Sequence, residues 1–305
     1  DKAMNLLNDI KKQSEAYDNN KMLAEVLRYI GIINYMQGEF ENALHYYTDA
    51  LQISEEMDNK NNILNLSRNI SAILRRLGDS DKSLEYINKS LNIAEQLDSK
   101  RGIVAALIGI GNIYFVLSNY DQASDYYNRS LKIADLLDEK HISGVIQTNL
   151  AAICFTKGDL DGSLNYSKKA LKIFTELGDK RQCCQTLNNI GNAYMGKRDY
   201  NIALRTLQEA LQIGEEIGAK RQIASSLSSI SRGFLKSGDY LSAIDYQTRS
   251  LTIFNEIGEK NAIARCLSIF SEIYSDKGEY NRAMEYSRRA LIIREETGDQ
   301  EGVAT

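Results

Sequence analysis

The chain has 305 residues, of which 26% are charged and 43% hydrophobic, and its net charge is −4 at pH 7. That balance suits an ordinary soluble protein, and it supplies neither the basic surface that a nucleic acid needs nor the cationic face that an anionic membrane attracts. No run reaches the roughly 18 consecutive apolar residues of a membrane span; the most apolar segment, Gly102 to Leu117, is interrupted by Asn112.

A forty-residue register organises everything else. Leu51, Leu91, Leu131, Leu171, Leu211, Leu251 and Leu291 stand forty residues apart, as do Ile53, Ile93, Ile133, Ile173, Ile213, Ile253 and Ile293. Self-similarity at that period marks a repeat array, in which each unit buries its apolar face by stacking on its neighbours. Length alone suggests two domains, but an unbroken register predicts one array over 1–305. In chain order, residues 1–20 form a partial repeat, because Ala3, Leu6, Leu7 and Ile10 repeat the second-helix pattern of Ala43, Tyr46, Tyr47 and Ala50. Seven repeats follow at 21–60, 61–100, 101–140, 141–180, 181–220, 221–260 and 261–300, and 301–305 begins a further one. Neither end carries the polar face of a terminal cap, so the chain is expected to continue in both directions and to self-associate through its ends.

The repeat at 181–220 shows the internal logic. From Cys183 to Met195, Leu187, Ile190, Ala193 and Tyr194 recur at helical spacing and form one buried stripe. The turn then reads Lys197-Arg198-Asp199, where most repeats have Gly-Asp or Gly-Glu, as at Gly38-Glu39, Gly78-Asp79, Gly158-Asp159, Gly238-Asp239 and Gly278-Glu279. Glycine accepts the left-handed conformation that closes a helix, and the acid after it can cap the next. A second amphipathic run from Tyr200 to Ile217 carries Ala203, Leu207, Ala210, Leu211 and Ile213 and stops at Gly218. Each repeat is therefore predicted to be two antiparallel helices of about sixteen residues. Three columns hold only small residues: those of Ala203, of Ala210 and of Gly191. Close helix packing requires them. No proline occurs anywhere, so nothing forces a kink.

Gly111-Asn-Ile-Tyr114 with Tyr120, Ala123 and Tyr127, and Gly191-Asn-Ala-Tyr194 with Tyr200, Ala203 and Ala210, resemble the tetratricopeptide repeat pattern. The resemblance covers essentially the whole chain, although the late proline of that pattern is missing and the unit is forty residues rather than the usual thirty-four. The extra length is similar to partner-of-inscuteable-type adaptors and bacterial signalling proteins of the family. It implies an all-α fold, an α–α right-handed superhelix whose first helices line a concave groove. The groove-facing set that the resemblance implies includes Arg28, Arg68, Asn69, Asn112, Asn149, Asn188, Asn189, Asn192, Arg232 and Arg265, with Arg75, Arg76, Thr148, Lys236, Glu272 and Asp276 beside them. Asparagine can pair with the backbone of an extended peptide, and arginine with acidic side chains. The carboxylate clamp of some family members is not matched: Asn112 and Asn149 fit its asparagine places, but Ile108, Gln185 and Asn189 stand at its cationic ones.

Catalysis needs converging titratable groups, and the sequence offers few. The two histidines, His45 and His141, have no companion set of cysteines or acids and are expected at the surface. Cys183 and Cys184 are adjacent on a helix and point apart, while Cys154 and Cys266 fall in apolar columns and are expected to be buried free thiols. No enzyme, metal or cofactor is therefore expected. The tyrosine column Tyr46, Tyr86, Tyr126, Tyr166, Tyr246 and Tyr286 reads as a structural slot between repeats. The expected function is a non-catalytic module that binds a protein or peptide in its groove, within a larger signalling or adaptor protein, with no nucleic-acid or membrane partner. The alternative is a regulatory sensor domain of a bacterial kinase, cyclase or transcription regulator. A cytoplasmic location suits the free cysteines, and a periplasmic sensor is the alternative.

Overall fold

The structure is a computed structural model that describes residues 2–297; the start of a further repeat expected at 301–305 lies outside the described residues. Among the described residues there are 15 α-helices and no strand, which places the chain in the all-α superhelical repeat class. The chain falls into two compact units, Asp1–Ile146 and Gln147–Thr305, with α8 (Lys140–Thr156) running through the boundary.

In the first unit α1 (Lys2–Ala16) packs on α2 (Asn20–Gln37). Antiparallel pairs then form between α2 and α3 (Phe40–Glu56), α4 (Lys60–Arg76) and α5 (Ser80–Gln96), and α6 (Lys100–Val116) and α7 (Tyr120–Leu136). Each second helix packs on the next first helix, α3 on α4 and α5 on α6. The second unit repeats the arrangement. There α9 (Leu160–Glu176) leads into pairs of α10 (Lys180–Gly196) with α11 (Tyr200–Glu216), α12 (Lys220–Ser237) with α13 (Tyr240–Ile257), and α14 (Lys260–Asp276) with α15 (Tyr280–Thr297). First helices also touch each other directly, α10 with α12 and α12 with α14.

Turn chemistry follows the columns. Gly38, Gly78, Gly158, Gly238 and Gly278 take φ between 78° and 83°, and the same column places Ser118 at 56° and Arg198 at 64°. The next backbone N–H reaches five residues back, as from Asp79 to the Leu74 carbonyl at 2.9 Å and from Asp159 to the Cys154 carbonyl at 2.8 Å. That bond satisfies a carbonyl the helix end would otherwise leave open. The acid then caps the following helix through its side chain at Asp79, Asp159 and Asp239, but neither Glu39 nor Asp199 does so.

Small residues set the packing distance. Ala43, Ala123, Ala203 and Ala243 are wholly buried, as are Ala50, Ala170 and Ala210. Where serine replaces alanine, its hydroxyl ties the two helices of a pair. Ser90 donates to the Leu64 carbonyl at 2.9 Å, Ser130 to Val104 at 3.1 Å and Ser250 to Ala224 at 2.7 Å. Each such buried bond contributes about 1 kcal/mol. The tyrosine slot is structural, but its stacks lie within a repeat and not between repeats: Tyr126 stacks on Tyr114 at 5.5 Å, Tyr246 on Phe234 at 5.4 Å and Tyr286 on Tyr274 at 5.4 Å. One expectation needs correction. Cys183, Cys184 and Cys266 are buried, whereas Cys154 is only partly covered, because its turn of α8 approaches the exposed end of the helix at Phe155 and Thr156.

Candidate functional site

Three hollows adjoin one another in the second unit, and the first helices build them. A cavity of about 380 Å³ lies among α10, α12 and α14. Gln185, Asn188, Asn189 and Asn192 line it from α10, Arg221, Gln222, Ser225 and Ser229 from α12, Phe254 from α13 and Arg265 from α14. A second, of about 360 Å³, is walled by Phe155, Asn192, Met195, Gly196, Arg198, Tyr200, Arg232 and Lys236. A third, of about 150 Å³, sits between α8 and α10 and takes in Ala151, Ala152, Phe155, Thr156, Ser163, Asn189 and Asn192. Asn192 borders all three, so they run on from one another along α10.

Helical spacing accounts for this shared edge. Gln185, Asn188, Asn189 and Asn192 are separated by the three- and four-residue steps that bring side chains onto one face of α10. The opposite face carries Cys183, Leu187 and Ile190, all buried. Register then places Ala152, Asn192 and Arg232 at equivalent points of α8, α10 and α12, and likewise Thr156, Gly196 and Lys236.

Two side chains that line the cavity among α10, α12 and α14 carry acceptors that are closed to solvent. Asn188 is only 7% exposed; its amide nitrogen donates to the Ser226 hydroxyl at 2.9 Å and to the Cys184 carbonyl at 3.1 Å. Its Oδ1 is buried without a hydrogen-bond partner, and so is Oε1 of Gln222. Buried acceptors of this kind are uncommon in a folded chain and call for a donor. Arg221 is held by Glu259 at 3.2 Å, while Arg265 is exposed and makes no ion pair among the described residues.

The predicted groove residues do not all share this setting. Within the second unit, Asn188, Asn189, Asn192 and Arg265 meet at the largest cavity, Asn192 and Arg232 meet at the second, and Asn149 is half-buried on α8. Four others belong to the first unit. Arg28 binds Glu25 at 2.8 Å and lies 4.3 Å over the Tyr29 ring. Arg68 donates to Asn65 at 3.1 Å, and burial lowers its pKa below the usual arginine value. Asn69 is half-buried on α4, and Asn112 accepts a 2.6 Å bond from the buried Tyr127 hydroxyl. Phe155, Met195, Arg198 and Tyr200 were not anticipated as site residues. Arg198 alone carried a sequence signal, by standing where most repeats have glycine.

Chemically the site offers amides, hydroxyls and cations, and no cluster of acids. Among the described residues no three His, Cys, Asp or Glu side chains come together as a metal would require, and no helix is long and apolar enough to cross a membrane. His45 and His141 are both exposed.

A family model described as tetratricopeptide repeat matches residues 62–136, 142–216, 182–256 and 222–296. No curated protein matches the chain significantly. Among solved structures, aspartyl phosphate phosphatase F from Bacillus subtilis is similar with a TM-score of 0.78 at 13% identity, over 95% of this chain and 74% of that one. The apo form of RapI gives a TM-score of 0.74 at 15% identity, over 90% of this chain and 99% of the other. A Rap protein complexed with competence and sporulation factor gives 0.74 at 17% identity, over 92% and 77%. At such identities the likeness is one of fold.

Proposed function

The chain belongs to the tetratricopeptide repeat family, and from that premise we propose that it is a non-catalytic interaction module that holds an extended peptide or partner segment along α8, α10 and α12. The observation that carries this reading is Asn192, which borders all three hollows and makes them a continuous path lined by amides. Asn189 and Asn192 would each give one donor and one acceptor to a backbone peptide group. Asn149, at the register position of Asn189, would extend the path on α8. Arg28, Arg68, Asn69 and Asn112 would serve a partner of the first unit in the same manner. A repeat fold that can turn small shifts at each junction into a change of pitch also suits a regulatory sensor, and the Rap structure complexed with competence and sporulation factor favours this as the second reading.

The repeats of 21–300 act as one array, with 1–20 as its leading partial repeat. The partner is protein rather than nucleic acid or membrane, and the free thiols suit a reducing, cytoplasmic compartment. The phosphatase named among similar structures lends no activity at 13% identity. Self-association would use α1, where Leu6 is 61% exposed.

The test is selection of random linear peptides on the chain, followed by titration of the selected peptides against Asn189→Ala/Asn192→Ala. Loss of about tenfold or more in affinity, with the fold intact by circular dichroism, is expected from two lost hydrogen-bonding amides. Unchanged affinity would move the site away from these helices.

A further inference from the structure

The hollow walled by Arg198, Arg232 and Lys236 departs from the rest of the site, because three cations line it and no acid does. None of the three makes an ion pair among the described residues. Glu272 and Asp276 stand at the register positions of Arg232 and Lys236 on α14 and pair with neither, and two other neighbouring acids are engaged. Asp161 bonds Lys197 at 2.5 Å and Glu259 bonds Arg221 at 3.2 Å, while Asp199 lines an adjoining hollow together with Arg198, Tyr200, Asn201 and Ile202. Three cations without an ion pair in one hollow of a chain whose net charge is −4 are a local concentration of positive charge, not a general property of the surface.

A second observation comes from the backbone. Arg198 takes φ +64° in a column that is otherwise glycine except for Ser118. A long side chain in the left-handed region is unfavourable, and positions that carry such strain cluster at functional sites. Gly196, at the register position of Thr156 and Lys236, adds no side chain to the wall. The floor is apolar: Phe155, 42% exposed, with Met195 and Tyr200. Apolar walls strengthen a charge pair made against them, by thinning the water between the charges.

From these features we propose that this hollow is an anion subsite, which takes the carboxylate of an acidic residue in a bound peptide, with a neighbouring apolar side chain against Phe155. The proposal rests on the groove reading above, since Asn192 joins the hollow to the amide-lined path. Arg232 and Arg198 each offer a planar fork for two carboxylate oxygens, and Lys236 adds a point charge. The subsite would thus select acidic peptides, while the asparagines bind backbone of any sequence.

Acetylated, amidated octaglutamate and octaglutamine are the probes, titrated calorimetrically into the whole 305-residue chain. Octaglutamate is expected to bind about tenfold more tightly than octaglutamine, as charge-assisted bonds require. Arg232→Gln/Lys236→Gln should erase that difference, and both positions are exposed, so the fold tolerates the change. Asn189→Ala/Asn192→Ala should weaken both probes alike and preserve the difference. Equal affinities in the unaltered chain would overturn the subsite, and so would a preference that survives Arg232→Gln/Lys236→Gln. If the asparagine variant binds both probes unchanged while the cation variant loses its preference, the backbone reading fails and the anion subsite stands.

Discussion

Replacing Arg198 by glycine should strengthen the turn between α10 and α11 and at the same time weaken acidic ligands. Arg198 sits at φ +64°, and glycine occupies the same column at 78° to 83° in five other repeats. An L side chain in that region costs roughly 1–2 kcal/mol, and the greater freedom of glycine in the unfolded chain returns roughly 0.4–1 kcal/mol. The net expectation is a gain of about 0.7 kcal/mol. No contact opposes it, since Arg198 is exposed and makes no ion pair, and the turn is closed by backbone alone. Arg198 N–H donates to Met195 at 3.0 Å and Asp199 N–H to Tyr194 at 2.9 Å. Because repeats are stabilised locally, hydrogen exchange resolved by peptide is the suitable assay, and amides of α10 and α11 should exchange about threefold more slowly in Arg198→Gly. Ser118→Gly, at φ 56°, should show a gain of the same sign in α6 and α7. Octaglutamate affinity should fall only in Arg198→Gly. Faster exchange in Arg198→Gly would show that the arginine side chain holds the turn, and the argument from strain would fail.

Other perturbations read other parts of the account. A Cβ on Gly191 would stand 2.5 Å from Cγ of Leu207, which is wholly buried, so Gly191→Ala should lose about 1–2 kcal/mol in urea titration despite the better helix propensity of alanine. Asn188→Ala should cost about 1–3 kcal/mol because it strips the partner of the buried Ser226, whereas Asn189→Ala should stay within about 0.5 kcal/mol; equal losses would contradict the division between them. Burial raises the thiol pKa of Cys154, Cys184 and Cys266, and Cys154 is the least covered of the four cysteines, so iodoacetamide under native conditions should label Cys154 first. Early labelling of Cys184 or Cys266 would indicate that the α10 or α14 packing opens readily.

How much of this was legible in the sequence depends on the length scale. Helix pairs and turn positions followed from the forty-residue register, since Gly-Asp turns and small-residue columns carry their structural demand locally. Cys154 was misjudged because its column is apolar elsewhere, while this turn of α8 borders the open hollow at Phe155. The site was legible only as a face. Register places Asn188, Asn189 and Asn192 on one side of α10, but it cannot tell which amide a neighbouring helix consumes. Ser226, thirty-eight residues on, takes the nitrogen of Asn188. Nor does a column pattern reveal that Phe155, Arg198, Tyr200 and Lys236 converge, since they come from three helices and a turn. The glycine column did mark Arg198, and its partners became visible only in three dimensions.

The central claim, that an extended peptide lies along α8, α10 and α12, is tested most directly by where a bound peptide touches. A peptide selected on the chain and carrying a benzophenone photo-crosslinker would be irradiated in the complex and its attachment site mapped by mass spectrometry. Met195, which borders the second hollow beside Asn192, offers the reagent a favourable target. The account predicts attachment at Phe155, Met195 or their immediate neighbours on α8, α10 and α12. Attachment confined to the outward faces of α9, α11 and α13 would contradict it.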